Sequence, residues 1–376
     1  MRKQIKSAKT KTTADSALFK EIRALIMASR NAVVRNINAV QVMTSFEIGR
    51  RIVEHEQQGE NRAEYGKALL KALSNSLTAE FGKGFSRSNL QNMRNFYVTY
   101  RNRLPEKCQM PSGKSGVIEK TKGLSEKFSL SWSQYVFLIG IKDDDVRSFY
   151  EIEAANNSWT LPELTRQYNS GLYERLALSR DKDGVRKLAK EGQVVSKQED
   201  LIKEPYILEF LGLDEKAKYS ESDLESAIID KLEQFLLELG KGFLFEARQK
   251  RFTFDEEHFY VDLVFYNRLL GCYVLIDLKI GKITHQDLGQ MQMYVNYFDR
   301  YVKMEKEKPT IGIILCRKKH DALVEITLPE GANIHAREYR LYLPSKVELK
   351  RKLIEWTKEQ EARGEIFTRA ITTKTN

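Results

Sequence analysis

Cysteine and histidine are scarce in this chain and badly placed for most of their usual work. Three cysteines (Cys108, Cys272, Cys316) lie far apart, with no C-x-x-C and no histidine at ligand spacing. Five histidines (His55, His258, His285, His320, His335) form neither H-x-x-x-H nor H-E-x-x-H. A zinc site is therefore not expected, and an odd cysteine count fits a reducing, cytoplasmic setting better than a disulfide framework. Apolar runs are short: none approaches the ~18 residues that a membrane span needs. Arg2, Lys3, Lys6, Lys9 and Lys11 near the start are followed by no apolar segment of signal-peptide type. No membrane partner is expected, and no internal repeat is visible.

What the chain does have is ordinary hydrophobicity and a basic surplus. Hydrophobic residues make up 41% of 376, enough for a sizeable core and a soft prior of two domains. Sixty-two Lys+Arg against 52 Asp+Glu leave a net charge of +10. Such a surplus favours polyanionic partners, because neutralising phosphates releases counterions. Charge alone would suit any soluble basic protein equally well.

Hydrophobic spacing divides the chain. Residues 1–14 read as a disordered basic arm and 15–180 as a helical domain for nucleic-acid binding or assembly. Within it, Phe19, Ile22, Ile26, Val33, Ile37, Val40, Phe46 and Ile52 recur at helical spacing. A second helix is expected over 62–81, stopped by Gly82 and Gly84. A third is expected from an N-cap at Ser86 to about Tyr100. Residues 103–127 read as a polar loop, and further helices open at Ser131, at Asp143 or Asp144, and at Thr160. The charged stretch 181–204 reads as an interdomain linker. Residues 205–357 then change character: a helix over 222–239, strands over 243–254, 259–266 and 272–278, a helix over 286–301, a strand over 310–316 and a helix over 347–357. The fold class is α + α/β, a helical domain followed by an αβββαβ unit. Residues 358–376 read as a polar tail.

The chemistry concentrates on two of those strands. Side chains of a strand alternate faces, so Asp277 and Lys279 in YVLIDLKIG share one. If Arg268–Gly271 is a four-residue hairpin loop, paired positions sum to 539 and Asp262 lies opposite Asp277. Cross-strand partners sit about 5 Å apart at Cβ, which would bring two carboxylates and an ammonium together. In strands of Val, Leu, Ile and Phe, that grouping is costly unless a hard cation is bound. Mg²⁺, or Mn²⁺ in its place, takes oxygen ligands and joins one or two carboxylates to phosphates. An exposed Asp–Lys pair at a hairpin end would read the same way in sequence. Glu225, on the preceding helix, is the candidate third carboxylate, with Glu221 and Glu233 as competitors. Gln290 and Tyr294 share a face of the following helix.

Helical Glu225, then Asp262, Asp277-x-Lys279 and Gln290-x-x-x-Tyr294 form an array that resembles the PD-(D/E)XK nuclease superfamily, in its RecB-like branch with a Q-x-x-x-Y motif. The segments FLLELGKGF, RQKRF, FYVDLVFYNRLL, IDLKIGK and QDLGQMQMYVNYFD resemble the YhcG-type family of bacterial proteins. The likeness extends over EIGRRIVEHEQQG, the segment from AEYGKALL to MRNFY, and RQYNSGLYERLALSRD. It implies a restriction-endonuclease-like C-terminal domain behind a helical one. It also implies an active-site core of Asp262, Asp277 and Lys279, with Glu225 completing the metal shell and Gln290 and Tyr294 bordering it.

The helical half offers a candidate nucleic-acid surface. Residues 81–105 carry Lys83, Arg87, Arg94, Arg101 and Arg103 and no acid. Two helices around a Gly-containing turn are compatible with a helix-turn-helix, presenting Arg87, Asn89 and Arg94. A solvated face or an oligomer interface would use the same residues. On the strand beside the site, Gln249, Lys250 and Arg251 could touch substrate or simply keep a sheet edge soluble. The leading expectation is a Mg²⁺-dependent nuclease, with DNA ahead of RNA. The rival is a binding or assembly subunit with little cleavage, partnered by another protein or a second copy of the chain.

Overall fold

In the computed structural model the described residues are 22–57 with gaps, 63–103, 127–178, 182–213, 218–254, 256–329, 331–345 and parts of 347–355. The expectations for 1–14, for most of 103–127 and for 358–376 lie outside them. Two compact units divide the chain, Met1–Arg147 and Ser148–Asn376.

The first unit is helical. It contains α1 (36–57), α2 (Ala63–Phe81), α3 (Arg87–Tyr100) and α4 (Trp132–Leu138). Glycines 82 and 84 adopt φ of +78° and +119°, which ends α2 as expected. The Ser86 side chain then accepts from the Asn89 amide at 3.2 Å and caps α3. Leu90, Met93, Phe96 and Tyr100 face inward at the expected helical spacing. Phe96 sits in an aromatic cluster with Phe46, Phe128, Trp132 and Tyr135, at ring separations of 5.1–6.0 Å. At Gly49, on α1, an added Cβ would lie 2.0 Å from the Met93 carbonyl oxygen, so only glycine permits this approach of α1 to α3.

The second unit opens within α5 (Asp144–Asn156) and continues through α6 (Leu161–Asn169), α7 (Leu172–Leu178) and α8 (Lys182–Glu191). Here the sequence reading needs correcting. From Lys182 on, the stretch expected as a linker is folded: α8 buries Leu188 and Ala189, and Asp200, Leu201, Ile202 and Lys203 are buried after it. Charge density misled, because a few apolar residues on one face suffice to dock a short helix. Arg175 on α7 is fully buried against Glu238, which also receives Arg166. Burial works to raise the Glu238 pKa, but Arg175, then Lys203 and Arg166, bring it down to about 2.

The sheet has six strands in the order β1-β6-β5-β4-β3-β2. They are β1 (Tyr206–Ile207), β2 (Phe243–Phe254), β3 (Glu257–Asn267), β4 (Cys272–Lys282), β5 (Ile311–Lys318) and β6 (Ile334–Arg340). β2, β3 and β4 form an antiparallel meander, and β4, β5, β6 and β1 are parallel. β1 and β6 were not expected; one is two residues long and the other, IHAREYR, is too polar for a core strand. The helix expected over 222–239 is two, α9 (Glu221–Asp230) and α10 (Leu232–Leu239), broken at Lys231. Leu224, Ile228, Phe235 and Leu239 cover one sheet face. α11 (His285–Tyr297) covers the other through Leu288, Met291, Tyr294 and Val295. A further short helix, α12 (Asp321–Thr327), follows β5. No helix among the described residues is long and apolar enough to cross a membrane.

Candidate active site

The hairpin between β3 and β4 has the expected register. Leu263 pairs with Ile276 and Asn267 with Cys272, each sum being 539. That register carries Asp262 toward Asp277, and there the ladder gives way to a side chain: the Leu278 amide donates to Asp262 Oδ2 at 2.9 Å. β4 and β5 pair in parallel at Asp277 and Lys279, which stiffens the strand from its other edge.

Asp277 is 3% exposed. Burial first, and the neighbouring Asp262 charge second, push its pKa up to about 7, against the pull of Lys279. Lys279 Nζ lies 2.9 Å from Asp277 Oδ2 but off the line of a hydrogen bond. That oxygen is thus charge-paired yet without a hydrogen-bond donor among the described residues. Burial opposes the Lys279 ammonium, but Asp277, then Glu221 and Asp287, outweigh it and raise its pKa. Glu221 is 3.6 Å away and Asp287 3.9 Å. Asp287 is held in place by a capping box with Thr284 at the start of α11.

Glu225 is 3% exposed and reaches the same neighbourhood from α9. Both its oxygens are taken: Arg248 Nε donates to one at 2.6 Å and Gln249 Nε2 to the other at 2.7 Å. The same Gln249 nitrogen donates to Asp262 Oδ1 at 3.0 Å, so one amide joins two of the three expected carboxylates. Gln249, open in the sequence to a substrate contact or a soluble sheet edge, has its side-chain amide committed to Glu225 and Asp262. Arg248 was overlooked, though RQKRF contains it. Glu233 sits elsewhere, lining a cavity with Glu153 and Trp159.

The Gln290 amide donates to the Tyr294 hydroxyl, which donates to the Tyr260 carbonyl at 2.8 Å. The pair therefore ties α11 to β3 two residues before Asp262. Burial, then Asp277, raises the Tyr294 pKa to about 12, so the hydroxyl stays protonated and a donor. Lys250 and Arg251 remain exposed on β2, Lys250 lying 3.8 Å from Glu246 and Arg251 bonded to His258.

No three His, Cys, Asp or Glu side chains converge as a metal cage among the described residues. The donors present still fit a hard divalent cation: two adjacent carboxylates, one of them desolvated with an oxygen lacking a donor. Mg²⁺ keeps several waters and needs no larger protein set.

In the first unit the expected contact residues fare unequally. Arg87 is exposed. Asn89 donates to the Gly84 carbonyl and accepts from Trp132 Nε1, so its amide is used within the fold. Arg94 is paired with Glu56 at 2.7 Å.

Two family models match within the chain. One, a YhcG PDDEXK nuclease domain, matches residues 199–354, and the other, a DUF1016 N-terminal domain, matches 21–175. A relative from Escherichia coli (strain K12), named "Putative nuclease YhcG", is 39% identical over 343 residues, spanning 88% of this chain and 91% of its own. Among solved structures, a repair endonuclease from Pyrococcus abyssi is similar at 20% identity and a TM-score of 0.23, over 34% of this chain and 50% of that one. EndoMS in apo form is similar at 19% identity and a TM-score of 0.22, over 35% of this chain and 49% of that one.

Proposed function

We propose that this chain, which belongs to the YhcG family with its PDDEXK nuclease domain, hydrolyses phosphodiester bonds of DNA with the help of Mg²⁺. The observation that carries the reading is the pairing of Asp262 with a buried, cation-seeking Asp277 beside a charged Lys279. Asp262 and Asp277 would hold the cation, with Glu225 fixing their surroundings through Gln249. When bound, such a cation acidifies a water and offsets charge at the scissile phosphate. Lys279, kept protonated by its acidic neighbours, serves as a fixed positive charge for the phosphate rather than as a base. Gln290 and Tyr294 position the β3 backbone that carries Asp262.

Incubation with supercoiled, linear, single-stranded and branched DNA, and with RNA, in Mg²⁺, Mn²⁺ or EDTA, tests this. Cleavage of DNA with either cation and none in EDTA is expected. Binding without cleavage under every condition would leave the chain a binding or assembly subunit.

A further inference from the structure

Beyond the carboxylates, β2 meets α11 through aromatic rings, and a π-helical turn, Phe298–Val302, carries α11 on. At Gln249 the φ of +46° is left-handed, a conformation that costs energy for any residue with a Cβ. The strand changes face there. Ala247 and Phe252 both pack in the cluster beneath α11, although five-residue spacing in a regular strand would put them on opposite sides. Phe252, rather than Arg251, therefore meets the helix.

An aromatic series results. Phe252 lies edge-on to Tyr294 at 5.6 Å and stacks on Tyr297 at 4.0 Å, with the ring planes 18° apart. Tyr297 in turn meets Tyr301 at 5.3 Å. The series runs from a tyrosine bordering the carboxylates to one that is 65% exposed. It ends in an open groove of about 370 Å³, lined by Phe252, Phe254, Tyr297 and Tyr301 with Asn296 and Arg300. Phe254 is 57% exposed. Lys250 and Arg251 stand exposed on the same strand, between this groove and Gln249.

Exposed rings at Phe254 and Tyr301, an amide for base edges and cations for the backbone are the parts of a single-strand binding platform. Their continuity with the carboxylate site along β2, α11 and the π-helical turn selects the occupant. We infer that this groove stacks unpaired bases of the strand being cut, so that the site acts on single-stranded or locally unpaired nucleic acid. The catalytic half of this inference rests on the nuclease reading; the binding half does not.

The test is affinity for labelled single-stranded DNA and RNA oligonucleotides and for a fully paired duplex, measured in EDTA so that binding is read without cleavage. The variants are Phe254→Ala, Tyr301→Ala and Tyr301→Phe, all at exposed positions, with melting curves as a check on folding. Each alanine variant should bind unpaired strands about 5- to 100-fold more weakly. Tyr301→Phe should bind as the parent does, and duplex affinity should not change. Whichever oligonucleotide binds tighter identifies the sugar. Unchanged affinity for unpaired strands, or an equal loss on duplex, would overturn the inference. So would a change confined to self-association by sedimentation, which would make the groove a contact between copies. Cation-dependent cleavage with unaltered binding would remove the groove and leave the nuclease. Lost binding in a protein that never cleaves would do the opposite.

Discussion

At Asp277 the ionised carboxylate is opposed first by burial and then by Asp262, while Lys279 supplies a neutralising charge that is not aligned as a donor. In cation-free solution this residue is a liability to the fold. Asp277→Asn keeps the shape and removes the repulsion, so at pH 8 in EDTA the variant should melt above the parent, by roughly 1–3 kcal/mol in stability. Saturating Mg²⁺ should raise the melting temperature of the parent and leave the variant nearly unmoved, because ligand binding stabilises only a fold that has the site. Calorimetric melts in EDTA and in Mg²⁺ measure both. A variant less stable than the parent in EDTA would mean that the two carboxylates do not repel. The register that brings them together was legible in the sequence, because strand alternation and the Arg268–Gly271 loop allow few pairings. The environment of Glu225 was not: a strand pattern gives no sign that Gln249 takes a left-handed φ and turns its amide between two carboxylates.

Among the elements, α3 is the clearest case of a helix read correctly and its surface read too generously. Its cap at Ser86 and its buried stripe follow from residue type and spacing. What spacing could not give was the partner of each polar side chain, since Trp132 and Glu56 lie 43 and 38 residues from Asn89 and Arg94. Of Arg87, Asn89 and Arg94, Arg87 is the exposed one left for a phosphate. Arg87→Ala should weaken DNA binding and reduce the slope of log affinity against log salt by about one. Arg94→Ala should leave that slope unchanged and lower stability by about 1 kcal/mol or less, as for a partly exposed ion pair. Equal effects on the salt slope would show that the Glu56 pair opens on binding. For the sheet, the three long strands were visible because each is rich in β-branched and aromatic residues. β1, β6 and α8 escaped because their burial depends on neighbours distant in sequence, not on their own hydrophobicity.

Over the whole molecule, a net charge of +10 suits a polyanionic substrate, and the second unit is held together by a buried ionic centre as well as by its apolar cores. Arg175 joins α7 to Glu238 on α10, beside Ser170 and the Pro205 carbonyl. Since the folded-state pKa of Glu238 is depressed to about 2, its contribution is present above the unfolded carboxylate value and lost as pH falls toward 2. Arg175→Met removes the foremost of the three cations that hold the Glu238 charge, leaving Lys203 and Arg166, and should cost about 3 kcal/mol at pH 7. That loss should shrink in acid melts below pH ~4, where the less strongly paired carboxyl takes up a proton; a loss independent of pH would assign it to packing alone. The central claim remains that Asp277 and Lys279 exist for chemistry, and one comparison bears on it most directly: DNA cleavage with Mg²⁺ by the parent, Asp277→Asn and Lys279→Ala, with DNA binding followed alongside. The account predicts parent cleavage that EDTA abolishes, a loss of about 10²-fold or more in each variant, and binding that survives in both. A parent whose Mg²⁺-dependent cleavage both variants retain in full would contradict it.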